Sequence, residues 1–389
     1  MNRGRRRFLQ ASLGGTTALM SGHIRSSSES GNACASKGDN KALRILILGG
    51  TGFIGPHMVQ EALRRGHNVT LFNRGRTARD LFPDLELLVG DRDNELGALR
   101  GRTWDAVVDN SGYVPRHVAD SATLLSSAVS HYLFVSSVSA YAAMSGNATA
   151  AKYHDVDMPN TEYGSPLAAM PDESVEEVTS LTYGPLKVLC ERAVTEVMEE
   201  RRVTILRPTW VVGPGDTSDR LTYWPVRVAR GGEVLVPGTS EDLLQIIDVR
   251  DLAIFVVDSV ERRLAGIFNM VTAPGSYSMG RFMLDNCALT RSDASLTWVD
   301  LPFIIENELL KDGTFGIWAP PSGDTRSDAI VSSARSFEHG LRARPPRETI
   351  RDTLGWWWSL SEERRRDMHA GLSADREARL LAAWRMRAS

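Results

Sequence analysis

The stretch LRILILGGTGFIG at residues 43–55 decides the fold, because an apolar run breaks into three glycines spaced three residues apart. Residues 43–48 have the near-continuous apolar character of a parallel strand that is buried on both faces. Gly49 permits a tight turn, Gly52 lets backbone amides approach a pyrophosphate, and Gly55 lets the following helix pack closely on the strand. The stretch therefore predicts a strand-to-helix turn that holds a nucleotide.

The residues after the turn support this interpretation. Pro56 suits a first helical turn, where its missing N–H is not needed, and apolar positions continue to about Gly66 before a second apolar run at 69–72. The start of such a helix favours an anion through its unpaired N–H groups and its dipole. Three glycines alone also occur in turns that bind no nucleotide, but strand, helix and second strand in this order favour a dinucleotide site. The predicted cofactor contacts in this segment are Gly49, Thr51, Gly52, Phe53, Ile54 and Gly55.

Further along the chain, short apolar runs alternate with helical stretches. The runs at 85–89, 106–108, 132–135 and 203–206 predict more parallel strands, and a helix is expected at 183–200. This order predicts an α/β fold with a doubly wound parallel sheet of the Rossmann type and a smaller C-terminal substrate lobe. The predicted dinucleotide-binding domain covers 43–212, with a polar, proline-containing excursion at 142–180 that acts as a lid. The predicted lobe covers 213–356 and returns in part to the core, and a helical tail anchored by three tryptophans covers 357–389.

Composition excludes several function classes. The 389 residues carry a formal charge of -3 with acidic and basic residues evenly mixed, which gives no electrostatic footprint for nucleic acid. Cys34, Cys190 and Cys287 lie far apart and predict no disulfide framework. The eight histidines show no metal-ligand spacing, so no metal is predicted.

The first residues predict an export signal. Residues 5–10, RRRFLQ, are similar to a twin-arginine signal, a weakly apolar stretch follows at 11–20, and Ala33 and Ala35 offer a small-residue cleavage pattern. We therefore expect a signal peptide at 1–35, a linker at 36–42 and an exported, periplasmic protein. The alternative is a disordered basic extension on a cytoplasmic protein. No later segment reaches the ~18 to 20 apolar residues of a transmembrane helix, so no permanent membrane span is predicted.

Two clusters carry the chemistry. Ser136, Ser137 and Ser139 follow the run at 132–135, and the carboxyl ends of parallel strands face the ligand crevice. Tyr183 and Lys187 are four residues apart and share one face of a helix. An ammonium beside a phenol lowers the phenol pKa towards the range useful for acid/base catalysis, and Ser137 could stabilise developing charge on the same substrate oxygen.

These motifs together resemble a known family. GGTGFIG (49–55), FVSSVSAY (134–141), YGPLK (183–187), LRPTWVVGPGD (206–216) and IIDVRDLA (246–253) are similar to the extended short-chain dehydrogenase/reductases, in the NAD-dependent epimerase/dehydratase group. The resemblance covers residues 43–356. In its local sequence the chain is most similar to a bacterial branch often labelled isoflavone-reductase-like. It implies that Tyr183 is the acid/base, that Lys187 lowers its pKa and holds the nicotinamide ribose, and that Ser137 polarises the reacting oxygen. Ser136 takes that role if the register differs by one.

Cofactor choice is read from the end of the second strand. An acidic residue there holds the ribose 2′-OH of NAD, but this chain has Asn73 and Arg74, which favours NADP over NAD. Asp91 resembles the adenine-contacting acid of the family. The other predicted cofactor contacts are Arg92, Asn110, Ser111, Gly112, Ser136, Tyr183, Lys187 and Pro208.

Two departures from the family stand out. The helix around 118–128 supplies no asparagine for a proton relay, with Asp120 nearest, and Ser137 and Tyr183 are 183 − 137 = 46 residues apart. The first leaves a proton relay through that asparagine unsupported, and the second suggests that residues 142–180 cover a substrate other than the usual nucleotide sugar. The substrate candidates are Ser139, Arg207, Tyr223 and Arg250, with Trp224, Arg227 and Gln245 beside them. Arg207 and Arg250 are equally compatible with structural ion pairs.

These observations predict an NAD(P)-dependent oxidoreductase or epimerase that acts on a secondary alcohol or ketone of a sugar-like or polyol substrate. Export favours a tightly held, self-recycling cofactor, because little NADPH is available outside the cytoplasm. The alternatives are a cytoplasmic nucleotide-sugar epimerase/dehydratase or simple reductase, and a non-catalytic binder of the cofactor or of RNA, as in some chloroplast relatives. Relatives of this kind commonly dimerise, so the resemblance also implies a homodimer.

Overall fold

The computed structural model describes residues 41–142, 161–163, 165, 167–170, 172–310, 314–320 and 330–388. The predicted signal peptide at 1–35 and the first part of the linker, 36–40, lie outside the described residues. So do Cys34 and most of the predicted lid, which covers 142–180. Of that lid, the described part includes an antiparallel bridge between Tyr141 and Leu167.

Eleven strands are present in the described part of the chain. They are β1 (Arg44–Leu48), β2 (Asn68–Asn73), β3 (Glu86–Val89), β4 (Trp104–Asp109), β5 (Val129–Val135), β6 (Val203–Pro208), β7 (Trp210–Val212), β8 (Glu233–Pro237), β9 (Ile246–Asp248), β10 (Gly266–Met270) and β11 (Ser295–Val299). Seven of them form one sheet in the order β10-β6-β5-β4-β1-β2-β3, and every pair in it is parallel. The sheet order reverses between β1 and β4, which is where such sheets bind ligands.

Eleven helices are present in the same described ranges, and only some of them pack on this sheet. They are α1 (Gly55–Arg64), α2 (Pro115–Leu125), α3 (Tyr183–Thr195), α4 (Tyr223–Ala229), α5 (Val249–Arg262), α6 (Met279–Thr290), α7 (Leu301–Glu306), α8 (Ala334–Glu338), α9 (Pro346–Ser359), α10 (Glu362–Arg366) and α11 (Ala374–Ala388). Alternate residues of β1 point to opposite faces, so Ile45 and Ile47 pack in the core with α1 and α5, whereas Leu46 and Leu48 pack with α2 and α3. The predicted doubly wound α/β fold is confirmed.

The C-terminal part of the chain contributes both to the central sheet and to a separate hydrophobic core. β10 returns to the edge of the central sheet beside β6. Helix α5 also packs on the central sheet, whereas α4, α6 and α7 build a separate core around the parallel pair β8–β11. In that core Trp224 of α4 is stacked on Phe315 at 6.4 Å between ring centroids.

The last helices pack against this C-terminal core. Leu380 and Leu381 of α11 are buried in it, and Trp357 of α9 is buried with the guanidinium of Arg364 5.3 Å from its ring centre. Among the described residues, no helix is both long and apolar enough to cross a bilayer.

Candidate active site

The glycine turn has the geometry of a phosphate cradle. Gly49 follows β1 with a φ of +111°, a value that strongly favours glycine. A Cβ on Gly55 would lie 2.5 Å from the backbone of Gly50, so the start of α1 can approach the turn only without a side chain. A Cβ on Gly52 would meet nothing within 4 Å, so this backbone faces open space beside the helix N-terminus. The residues present therefore fit a dinucleotide pyrophosphate.

Residues at the ends of neighbouring strands bond to the backbone of the glycine turn and of β1. The Asn73 amide donates to the carbonyl of Gly49 at 3.2 Å and accepts from the N–H of Gly75 at 2.8 Å, so it braces the turn. The Ser111 hydroxyl donates to the carbonyl of Leu48 at 3.1 Å. Arg74 is exposed, and the described residues make no hydrogen bond or ion pair with its guanidinium.

A cavity of about 590 Å³ lies at the carboxyl ends of the strands. Its described lining is mostly apolar and aromatic with a few hydroxyls and amides. The lining residues are Phe53, Ile54, Asn110, Tyr113, Val135, Ser136, Ser137, Val138, Ser139, Tyr183, Lys187, Pro208, Thr209, Trp210, Val211, Arg220, Leu243, Gln245, Ile317, Ala319 and Pro320. We call Ser137, Tyr183 and Lys187 the inner wall, and Trp210, Arg220 and Ile317 the outer wall.

Lys187 is fixed at the base of the inner wall. Its Nζ donates to the carbonyl of Gly112 at 2.8 Å and to that of Val135 at 3.0 Å, which are at the ends of neighbouring strands. The side chain is buried, and this burial lowers the pKa of Lys187 to about 8. The ammonium also lies 4.6 Å from the centre of the Tyr113 ring. Lys187 therefore ties α3 to β5 and to the segment after β4.

Tyr183 begins α3 and lies beside this lysine. Burial raises the pKa of Tyr183 to about 12, the nearby Tyr113 adds to the increase, and a hydrogen bond with Ser137 opposes it. The lowered phenol pKa that the spacing predicts is not seen, because burial dominates and the Lys187 ammonium is 5.8 Å from the Tyr183 ring centre. Tyr183 thus holds its proton at neutral pH and is placed to donate it.

Ser137 and Ser136 point into different environments. Ser137 Oγ accepts from the N–H of Ser139 at 3.1 Å and lies beside the Ser139 hydroxyl at 3.2 Å, on the cavity wall. Ser136 Oγ donates to Glu191 at 2.5 Å. The geometry therefore favours Ser137 for a substrate contact, and Ser136 holds α3 against β5.

The structure places Arg92, a predicted cofactor ligand, in a buried ion pair. Its guanidinium forms a buried two-bond pair with Asp109, at 2.6 and 2.7 Å, and also donates to Ser121. Arg92 does not line the cavity. Asp91 beside it is half-buried, and its carboxylate accepts from the N–H of Asp93 at 3.2 Å.

Arg207, a predicted substrate contact, is also held in a buried ion pair and does not line the cavity. It is 1% exposed and binds Glu191 through Nε at 2.9 Å and Nη2 at 2.6 Å. Because Glu191 is on α3, this buried pair joins the helix that carries Tyr183 to strand β6.

The other candidates from the second lobe are also engaged elsewhere. Arg250 pairs with Asp248 at 2.7 Å and with Asp352 at 2.6 Å, and Tyr223 is buried in the lobe core. Neither lines the cavity, so both predictions are wrong in this respect. Trp224 is buried and Arg227 pairs with Glu377. Gln245 does line the cavity, but its amide bonds to the backbone of Thr272 and Val331.

Three cavity residues, Tyr113, Trp210 and Arg220, are not indicated as site residues by any sequence motif. Trp210 and Arg220 lie in or just after the family motif at 206–216, but only the folded chain brings them to the cavity. No group of three potential metal ligands occurs in the described ranges. Burial raises the pKa of the Cys190 thiol to about 12, so this cysteine is not a nucleophile at neutral pH.

Comparisons with known proteins agree with this geometry. A model of the NAD dependent epimerase/dehydratase family matches residues 45–270. An enzyme from Bordetella bronchiseptica, WbmG, solved with NAD and UDP, superposes with a TM-score of 0.59 at 20% identity, over 86% of this chain and 99% of that one. At this identity the likeness is one of fold.

Two relatives found by sequence match shorter parts of this chain. The chloroplast stem-loop binding protein of 41 kDa b from Arabidopsis thaliana is 26% identical over 253 residues, 58% of each chain. The 3-beta-hydroxysteroid dehydrogenase from Mycolicibacterium neoaurum is 41% identical over 51 residues, 13% of this chain and 14% of that protein. The chain thus spans about a seventh of the steroid dehydrogenase and less than two thirds of the chloroplast protein.

Proposed function

Because the chain belongs to the NAD-dependent epimerase/dehydratase family, and is thus an enzyme of that type, we propose that it oxidises and reduces one carbon of a sugar-like or polyol substrate. The observation that carries this proposal is the inner wall, where Ser137, Tyr183 and Lys187 meet at the carboxyl edge of a dinucleotide-binding sheet. The reacting secondary alcohol or ketone would lie against Ser137 and Tyr183.

Each inner-wall residue has a distinct task. Tyr183 moves a proton between its phenolic oxygen and the substrate oxygen, and its raised pKa favours the protonated form that donates. Ser137 donates to the same substrate oxygen while charge develops on it. Lys187, held by two carbonyls, orients α3 and is placed to hold a ribose hydroxyl. A bound nicotinamide dinucleotide supplies the hydride acceptor and donor for the carbon.

We further propose that the protein is exported and recycles its cofactor within each turnover, as in epimerisation. The twin-arginine pattern at residues 5–10 supports export, since that route carries folded proteins with bound cofactors. A reductase that consumed one NADPH per turnover would lack a supply outside the cytoplasm. Epimerisation returns the cofactor to its starting state, so a tightly held molecule suffices.

The preferred cofactor in this proposal is NADP. The end of β2 carries Asn73, whose amide braces the glycine turn, where an acid would hold the 2′-OH of NAD. Arg74 and Arg76 follow it, both exposed, and the described residues pair with neither. A guanidinium in this position suits a 2′-phosphate.

Identification of the bound cofactor tests these proposals directly. The protein would be purified without added nucleotide and denatured, and any released dinucleotide identified by mass and absorbance. We expect near-stoichiometric NADP. Stoichiometric NAD would overturn the cofactor preference, an empty protein that binds NADPH weakly would overturn self-recycling, and no binding of either would overturn the enzyme assignment.

A matched pair of glycine variants separates cofactor binding from folding. Gly52→Val places a side chain into open space, so we expect a folded protein that has lost its dinucleotide. Gly55→Ala pushes a Cβ into the backbone of Gly50, so we expect about 1–3 kcal/mol less stability. Cofactor retained by a folded Gly52→Val protein would contradict the phosphate cradle.

A second candidate function, RNA binding, is suggested by the name of the chloroplast relative. The even charge balance argues against it, because RNA affinity depends on concentrated positive charge. A gel shift with a stem-loop RNA at physiological salt distinguishes the two, and we expect no complex.

A further inference from the structure

The outer wall of the cavity contains a cation that the proposed function does not use. Arg220 lies just before α4, and its guanidinium is 5.3 Å from the centre of the Trp210 ring. Its Nε donates to the hydroxyl of Ser218 at 2.7 Å. Within the described part of the chain, no group accepts a hydrogen bond from Nη1 or Nη2, so both remain available on the cavity wall.

The counter-charge of Arg220 is on one side of its guanidinium. Asp216 Oδ2 lies 3.8 Å from Arg220 Nε. The other carboxylate oxygen of Asp216 accepts from the N–H and the hydroxyl of Ser218, at 2.9 and 2.6 Å. Asp216 therefore offsets the charge near Nε and leaves the end that carries the two Nη atoms without an anion.

The described lining of the cavity is cationic. Of the described residues that line it, Lys187 and Arg220 alone carry a charge, and both are positive. Lys187 is 3% exposed and already donates to two backbone carbonyls. Arg220 is thus the cation that a substrate group can reach.

The backbone of Arg220 is clamped from two directions. The preceding Asp219 is fully buried and accepts from Arg364 Nη2 at 2.7 Å and from the N–H of His369 at 2.9 Å. On the other side, Gly316 packs so closely that a Cβ there would lie 2.1 Å from the carbonyl oxygen of Arg220. Such pre-organisation strengthens a binding group, because less freedom is lost when the ligand arrives.

We propose that Arg220 and Trp210 form a subsite for the carboxylate of a polyhydroxy acid, so that the substrate is an acidic rather than a neutral sugar or polyol. The planar guanidinium offers paired N–H groups of the geometry that a carboxylate accepts. The Trp210 ring supplies an apolar face for the carbon skeleton beside it. This proposal rests on the proposed function and specifies its substrate class.

Calorimetric titration of the full-length, cofactor-loaded protein tests the subsite. The probes are glucuronate, glucose and glucose 6-phosphate, and the variants are Arg220→Gln and Arg230→Gln, the latter at an exposed arginine just after α4. We expect the wild type to bind glucuronate about ten- to a hundredfold more tightly than glucose. Arg220→Gln should remove this ratio without changing glucose affinity, and Arg230→Gln should retain it.

Several results would overturn the subsite. They are equal affinities in the wild type, a ratio that survives Arg220→Gln, tighter binding of glucose 6-phosphate than of glucuronate, and no binding of any probe. The cofactor content of each sample is measured in parallel. A protein that holds its dinucleotide but shows no acid preference overturns the subsite alone, whereas a protein that binds no dinucleotide overturns the proposed function.

Discussion

The inner and outer walls of the cavity are built in different ways. Ser137, Tyr183 and Lys187 come from two short motifs at the end of β5 and the start of α3, and strand-end carbonyls hold the lysine. Trp210, Arg220 and Ile317 come from β7, a loop and a distant segment of the C-terminal lobe. The inner wall is part of the sheet, whereas the outer wall depends on contacts between parts of the chain that are far apart in sequence.

This difference assigns separate roles to the two walls. In the proposed function the inner wall carries the proton donor and sets the class of reaction. In the proposed subsite the outer wall carries a cation and an aromatic face and sets the choice of substrate. Changes to the inner wall should abolish turnover or unfold the protein, and changes to the outer wall should alter substrate preference in a folded, loaded protein.

The largest effect is expected from Tyr183→Phe. Removal of the phenolic oxygen should lower kcat by about 10²–10⁴-fold, because proton transfer by a placed side chain contributes that much. Cofactor content should not change. The measurement is kcat with any substrate that the wild type converts. Tyr163→Phe, at an exposed tyrosine, is the control, and undiminished turnover in Tyr183→Phe would remove Tyr183 from the chemistry.

Glu191→Ala should show that the inner wall depends on a buried ion pair. The change leaves the Arg207 guanidinium buried without its carboxylate, so the free energy of unfolding should fall by about 3–5 kcal/mol. Urea unfolding measures it. Glu196→Ala, at an exposed position just after the same helix, should change stability by less than about 0.5 kcal/mol. Similar losses in both variants would contradict a special role for the pair.

His131 in β5 lies outside both walls and should make the free energy of unfolding depend on pH. Burial lowers the pKa of His131 to about 4, and its Nδ1 is buried without a partner. The unfolded chain takes up a proton near pH 6.5, so the stabilisation present above this pH is lost as the pH falls towards 4. Between pH 7.5 and 5 this amounts to about 2 kcal/mol. His131→Asn should flatten that part of the pH profile in urea unfolding, and an unchanged slope would contradict the assignment.

The smallest effect is expected from Arg364→Gln. The variant loosens the clamp on Asp219, so the affinity ratio of glucuronate to glucose should fall by about two- to fivefold, as for a weakened hydrogen bond. Calorimetry on the loaded protein measures it. Arg366→Gln, which removes a pair with Glu362 in the same exposed helix, should leave the ratio unchanged. If both variants behave alike, the tail does not position Arg220.

The inner wall can be predicted from the sequence because the motifs that form it are short and local. The glycines at 49–55, the apolar runs and the Tyr183–Lys187 spacing each act within one strand or one helical turn, and the structure has strands and helices at these positions. The helix predicted at 183–200 ends earlier, at Thr195. The pKa of Tyr183 escaped prediction because it depends on burial, which the spacing does not report.

The outer wall escaped prediction for a different reason. Arginines are equally suited to ion pairs and to ligand binding. In the folded chain Arg207 pairs with Glu191 of α3 and Arg250 pairs with Asp352 of α9. Arg220 remained partly free because the carboxylate of its neighbour Asp219 pairs with Arg364 and not with Arg220. Such long-range pairing decides which arginine keeps N–H groups that can bind a ligand, and no local sequence pattern encodes it.

The clamp on Asp219 also has a consequence for biosynthesis. Arg364 and His369 lie near the C-terminus, and they leave the ribosome after every strand of the central sheet. A growing chain folds from its N-terminus, so the dinucleotide cradle can form while the far side of the cavity still lacks its last support. The nascent chain therefore completes the strands of its central sheet and its glycine turn before the residues that support Arg220 have been synthesised.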